Sequence, residues 1–396
     1  MKRYLWPRSP LAWVVIAAVI FLVLGTVVPP LYNNQTRPLA FDQNINTVTA
    51  PSTGVWMDAP AFIAGAKATG DSKNPQCQEK KAPIWCYLHH DLITLERNTT
   101  TAEVAENDAL AHSDSLSRLL AGETPLAQIT EHSVLNREST YPVAAPKDKW
   151  EFLLPAVDTG MARTDFERDG INYFFPSGTE QRSYPFFDLA SQSSTAVDFT
   201  TTEKLDGIPT YSFHHDIQPI SLADMRRSIT TEAVNSGSGE KQLAAKDFRI
   251  SGPAKRFYDE DSRKLLGLDP TDRVTVEPFY TVGRDISVEP TTGTIVDLRE
   301  NIKIFFAADE KQAGTMVAND DTEDRSIFAA DMRWSDDTRA ERLDEVRPVI
   351  RTIRALMVVG WAGKAIGVGL LLCAAYMYMR RHREGCLLYT SPSPRD

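Results

Sequence analysis

The stretch ISVEPTTGTIVDL, residues 286–298, decides the fold class. Ile286 and Val288 alternate with polar neighbours, which is the period of a half-buried antiparallel strand. Thr292-Gly293 turns that strand into TIVDLRENIKIFF, residues 294–306, which reads as its partner. Upstream, RVTVEPFYTV (273–282) carries the same β-branched and aromatic signal. Further back, STAVDFTTTEKL and IPTYSFHHDI flank Asp206-Gly207, a strong short-range hairpin signal. The centre of the chain therefore reads as one α+β domain, β-rich and antiparallel, a curved sheet or partial barrel with a few helices.

Helical signals are fewer. TAEVAENDALAHSDSLSRLLAG (101–122) places Val104, Leu110, Leu116 and Leu119-Leu120 ahead of Gly122, and predicts a helix within a helical lobe at 90–140. DEDSRKLLG reads as a short capped turn ending at Gly267. After Ser335, Asp336 and Asp337, the residues Leu343, Val346, Ile350, Ile353 and Met357 recur at helical spacing. They predict a helical stalk over 335–354, kinked at Pro348. VNSGSGEK (234–241) reads as a flexible loop.

Both ends carry apolar runs. LAWVVIAAVIFLVLGTVV (11–28) has no charge and follows Lys2, Arg3 and Arg8. It reads as an uncleaved span, because VPPLYNN follows it where a signal peptidase needs small residues. A second span covers 355–379 and is closed by Arg380, Arg381 and Arg383. Positive residues beyond both outer ends predict residues 1–10 and 380–396 in the cytoplasm, with 29–334 on the far side. Lys364 lies about 6 Å inside the second span if that span ends at Met379, close enough for its ammonium to reach the interface. Gly363 and Gly367 form a small-xxx-small pair suited to packing against the first span or a partner. The final CLLYTSPSPRD resembles translated adapter sequence and is left out of the fold reading.

Charge and cysteine usage bound the function. The formal charge of −10 becomes about −16 for the middle of the chain once the basic ends are set apart, which argues against a nucleic-acid partner. Cys77 and Cys86, in CQEKKAPIWC, are expected to form a disulfide outside the cytoplasm. No phosphate loop, metalloprotease helix or nucleophile elbow is present, because NSGSGEK lacks the required spacing. In His89-His90-Asp91 and His214-His215-Asp216, adjacent histidines on a strand point to opposite faces, so a metal site is not expected. The acidic run 319–325 lacks the glycine of a calcium loop and reads as a solvated loop. No cofactor and no enzymatic activity are expected.

One stretch gathers rings. GINYFFPSGTEQRSYPFFD (170–188) holds Tyr173, Phe174, Phe175, Tyr184, Phe186 and Phe187. It reads as two short strands turning at Pro176-Ser177-Gly178, with rings on both faces. The six rings either fill a core or line an apolar groove for an acyl chain.

FFPSGTEQRSYPFFD, TEKLDGIPTYSFHHDI and VEPTTGTIVDLRE, with the early RPLAFDQNINTVTAPSTG, resemble an actinobacterial two-span membrane family often labelled PorA-type porin. CQEKKAPIWC and the 97–104 region depart from that pattern. The resemblance implies a plasma membrane facing a lipid-rich envelope. With the topology and the two-faced aromatic strand, it leads us to expect a domain that binds or transfers an envelope lipid or lipoglycan. The alternatives are an assembly or regulatory subunit holding a membrane-protein partner or a second copy, and a porin or channel as the family label suggests.

Overall fold

The hairpins form where the turn chemistry places them. In a computed structural model, which describes residues 10–36, 38–143, 148–154, 159–235 and 249–386, the chain begins with α1 (Pro10–Thr36). It continues through β1 (Asn44–Val48), β2 (Ser52–Met57), α2 (Ala59–Ala64), β3 (Leu88–Glu103), β4 (Leu110–Ala121) and β5 (Thr124–Asn136). Then come β6 (Asp148–Leu154), β7 (Thr159–Phe166), β8 (Tyr184–Asp188), β9 (Ser193–Leu205), β10 (Ile208–Ser221) and α3 (Leu222–Asn235). The last part holds β11 (Ile250–Pro253), α4 (Glu260–Leu266), β12 (Arg273–Glu289), β13 (Thr294–Ala307), α5 (Glu310–Ala318), β14 (Ser326–Arg333) and α6 (Asp336–Cys386).

The chain divides into two units, residues 39–346 and the pair of terminal segments. In the first, the sheet runs β7-β6-β5-β4-β3-β2-β14-β13-β12-β10-β9-β8, with β1 added to β3 and β11 to β12. All of its ladders are antiparallel. The sheet is open, yet strongly curled. Phe166 of β7 and Phe187 of β8, from its opposite edges, have ring centroids 6.4 Å apart. The segment after β7 bridges the gap: Ile171 N–H donates to Pro185 O at 2.9 Å, and Phe187 N–H donates to Ile171 O at 2.8 Å. A strap of irregular chain thus lies where a closed barrel would have a ladder.

Local chemistry accounts for several elements. Asp206 and Gly207 both take positive φ, 46° and 79°, as the β9–β10 turn requires. Asp259 caps α4 by accepting from Ser262 N, and Gly267 closes it in the left-handed region. Ser335 Oγ accepts from Thr338 N at 3.2 Å at the start of α6, which continues past Pro348 as one helix. Cys77 and Cys86 are disulfide-bonded, Cα atoms 5.2 Å apart, in a buried cluster with Phe62, Tyr87, Phe257 and Phe306.

Three expectations are corrected. Residues 101–122 are not a helix: they complete β3, turn, and form β4, paired with both β3 and β5. The inward residues of β4 are Ala111, Ser113, Ser115 and Ser117, all buried, so the alternation is in size and position rather than hydropathy. There is accordingly no helical lobe at 90–140. The aromatic stretch is not a two-strand hairpin either, since only Tyr184–Asp188 is a strand. Of the expected loop at 234–241, residues 234 and 235 end α3 and the remainder lies outside the described residues.

The second unit pairs α1 with the C-terminal part of α6, both long and apolar enough to cross a membrane. Gly363 and Gly367 lie against α1: a Cβ on Gly363 would come 3.2 Å from Phe21 O, and one on Gly367 would come 2.6 Å from the Leu22 side chain. At Gly25 the nearest neighbours are backbone, with an added Cβ 2.7 Å from Gly360 O and 3.0 Å from Lys364 N. Backbone cannot swing aside as a side chain can, so Gly25→Val should push the helices apart by about 1–2 Å. Leu22→Cys/Gly367→Cys, in a Cys373→Ser background, should cross-link readily under oxidant and lose most of that yield when Gly25→Val is added. An unchanged yield would show that the glycine contact does not hold the pair. The Lys364 ammonium lies 5.3 Å from the Trp361 ring centroid.

Candidate functional site

The interior of the curled sheet is polar at two places, and the aromatic stretch connects them. On β12, Arg284 points inward and is buried. Its Nε donates to Glu300 on β13 at 2.6 Å, and its Nη2 donates to Asp188 on β8 at 2.6 Å. Tyr280 O–H donates to the same Asp188 oxygen at 2.9 Å. Burial alone would raise both carboxyls, but Arg284, aided at Asp188 by the Ser191 N–H, holds them below the usual range. Arg284 Nη1 lies 3.1 Å from His215 Nδ1, which must accept, so the proton sits on Nε2, 2.7 Å from Thr195 Oγ1. Burial, then the Arg284 charge, pushes His215 down to about 4.

Across the interior, Arg168 pairs with Glu131 on β5, whose second oxygen accepts from Tyr173 O–H at 2.6 Å. Arg97 of β3 lies over the Tyr173 ring, its guanidinium carbon 5.1 Å from the centroid. Asp148 Oδ2 is 3.0 Å from Arg168 Nε but off its N–H direction, and neither atom has a hydrogen-bond partner among the described residues. Burial therefore prevails over the Arg168 charge, and the carboxyl is pushed up to about 6.

Two opposite pH dependences follow. Between about pH 4 and 6.5 folded His215 binds fewer protons than the unfolded chain, so its contribution to stability rises with pH. Folded Asp148 binds more protons between about 3.8 and 6, so its contribution falls as pH rises. Each slope is at most about 1.4 kcal/mol per pH unit, and they oppose. From about pH 5 to 6 the thermal midpoint should be nearly flat. Asp148→Asn should make it rise with pH and His215→Asn should make it fall, and the same flat profile in both variants would contradict the assignment.

The six rings do not share one groove. Phe175, Tyr184 and Phe186 pack with Phe213, Ile286 and Val288 inside the sheet. Phe174 and Tyr173 join Leu39, Ala111 and Leu135, and Phe187 joins Trp150 and Phe166. The strap, which carries Tyr173, Phe174 and Phe175, is tied to the β12–β13 turn: Ser177 Oγ donates to Thr292 O at 3.0 Å, and Gly178 N–H donates to Thr291 O at 3.2 Å.

The paired histidines do face opposite ways, His214 exposed beside Asp285 and His215 buried. His89 stacks on Trp56 with centroids 4.3 Å apart, and His90 N–H is bonded by Asp71 at 2.7 Å. Among the described residues no group of three His, Cys, Asp or Glu is placed to hold a metal. The outward strand face is charged, carrying Asp114, Arg118, Asp285, Arg299 and Asp331, and its only exposed large apolar residues among those described are Val48 and Leu92.

Sequence reasoning missed a cleft of about 370 Å³. One wall is the disulfide-closed loop with Glu79, Lys81, Pro83 and Trp85, and the other is the start of α4 with Asp259 and Arg263. Glu79 and Lys255 face each other at 4.0 Å. Asp324 makes no hydrogen bond or ion pair among the described residues, and its carboxyl is raised by partial burial and by Asp259, Glu323 and Asp321. The convergence of Trp85 with both acids and bases was the available signal.

Two apolar helices joined to a curled antiparallel domain with a loop-closing disulfide define a β-rich membrane protein. The family described as Porin PorA matches residues 12–376, so the chain belongs to the PorA porin family. It is similar to the Porin PorA of Corynebacterium resistens (strain DSM 45100 / JCM 12819 / GTC 2026 / SICGH 158), 26% identical over 398 residues, covering 93% of this chain and 96% of that protein. It is also similar to the Porin PorA of Corynebacterium amycolatum, 22% identical over 360 residues, covering 86% and 90%.

Proposed function

We propose that this chain is a plasma-membrane protein with both termini in the cytoplasm, whose sheet domain lies outside and binds or hands on an envelope lipid or lipoglycan without chemical conversion. The filled interior carries this reading. Arg284 and Arg168, each beside two carboxylates, occupy the space that a conduit through the curled sheet would need. Among the described residues, the charged outward face carries no continuous apolar band of the kind a lipid-embedded barrel needs. Binding at the surface is then the work left to such a domain. Lys2, Arg3 and Arg8 before the first span, and Arg380, Arg381 and Arg383 after the second, support the orientation. Mass spectrometry of lipids extracted from the full chain, purified from its own envelope, is expected to find one class enriched over the bulk membrane. A profile equal to the bulk would sink the reading.

The name of the relatives, Porin PorA, favours a second reading, a channel. Its conduit would have to come from α1 and α6 of several copies. Recording from the full chain in a planar bilayer separates the two: no current steps are expected here, and reproducible steps would establish the channel instead.

A further inference from the structure

We propose that the cleft between the disulfide loop and α4 is a carbohydrate site, taking a neutral, hydroxyl-rich sugar ring stacked on Trp85. This rests on the binding reading above and names the part of the ligand that is held.

The lining decides the class. It carries three basic and four acidic side chains, so the two signs nearly balance. A phosphate would meet the carboxylates and an ammonium would meet the bases, whereas sugar hydroxyls both donate and accept. Trp85 is half-buried, its indole packed against the core around the disulfide, and it adjoins Pro83 in the cleft wall. An anchored indole offers a flat apolar face of the kind that covers one side of a pyranose. One polar group stands ready: Asp324 lines the cleft with a carboxyl that makes no hydrogen bond or ion pair among the described residues. About 370 Å³ is room for one or two sugar rings. An acyl chain does not suit so polar a lining.

The disulfide is part of the site. Glu79, Lys81, Pro83 and Trp85 all lie between Cys77 and Cys86, so the bond fixes the wall that carries the stacking ring. Reduction would free that wall and weaken binding.

The test uses the full chain in phosphatidylcholine nanodiscs, which avoid sugar-headed detergents. Maltotriose, cellotriose and mannotriose are titrated by calorimetry and by saturation-transfer NMR. At least one should bind saturably, with Trp85→Ala and Asp324→Asn each weakening it about tenfold or more, Asp324→Asn at an unchanged thermal midpoint, and reductant weakening it too. Asp324→Asn keeps the shape of the side chain, so it remains informative if Trp85→Ala unfolds. Absence of binding by all three sugars, or binding indifferent to both substitutions, overturns the proposal. Lipid extraction from the same variants tells the two failures apart. If a glycolipid stays enriched in Trp85→Ala and Asp324→Asn, the cleft is the wrong site and the binding reading survives. If wild type binds no sugar and its lipid profile equals that of the bulk membrane, both fall.

Discussion

Arg284→Leu is expected to cost the sheet domain about 5 kcal/mol or more at pH 7, enough to unfold a domain of ordinary stability. The guanidinium is shared between two carboxylates that have almost no water: the side chains of Asp188 and Glu300 are 0% and 7% exposed. Removing one partner of a buried pair typically costs about 3–5 kcal/mol, because the charge left behind has lost its solvent as well as its counter-ion. Here two charges are left, and His215 Nδ1 also loses its donor. The variant should recover on acidification, since protonating either carboxyl removes the stranded charge. Wild type behaves oppositely below about pH 4.5, because carboxyls held below their usual range lose stability as protons bind. Adding Asp188→Asn and Glu300→Gln should restore part of the loss at pH 7. Thermal unfolding of the full chain between pH 4 and 8 reads all of this. A midpoint for Arg284→Leu within a few degrees of wild type at pH 7 would mean that the network is wet and the interior is not closed.

What could be seen in the residues depended on how local the cause was. The turns at Asp206-Gly207 and Thr292-Gly293 were legible because the positive φ they need is met locally, by Asp206 and Gly207 in one and by Gly293 in the other. The spans and the start of the helix at residues 335–337 were legible because their signals are also local. β4 was not, because the interior it faces is polar there. Ser113, Ser115 and Ser117 are buried opposite Thr99, Arg97 and their neighbours, so hydropathy shows no alternation. The Arg284 network joins residues 188, 215, 280, 284 and 300, and only the β8–β9–β10–β12–β13 pairing brings them together. For the aromatic stretch, the number of rings was visible but their partners were not. The rings face three separate clusters because the strap crosses from one edge of the sheet to the other.

That crossing also links two of the stretches on which the family resemblance rests, FFPSGTEQRSYPFFD and VEPTTGTIVDLRE, and one glycine decides whether they can meet. A Cβ on Gly293 would lie 2.2 Å from Phe175 O and 2.8 Å from the carbonyl carbons of Phe175 and Pro176. All three are backbone atoms, so no rotamer change relieves the clash. Gly293 also has φ +76°, which by itself costs an alanine about 1–2 kcal/mol. Gly207 supplies the control: its φ is +79°, but a Cβ there meets nothing within 4 Å. Gly207→Ala should therefore cost only the conformational share. Gly293→Ala must in addition move the strap, losing the Phe175 N–H bond to Gly293 O and the Ser177 and Gly178 bonds to the same turn. We expect about 3–5 kcal/mol in total, with the difference from Gly207→Ala measuring the packing. Protease should cut first between residues 171 and 183 in Gly293→Ala, as the strap lifts and Phe175 loses its cover, and not in Gly207→Ala. Equal midpoints for the two alanine variants would show that the strap rests on the turn without being held by it. The closure of the curled sheet would then have to come from Asp188 and Tyr173 alone.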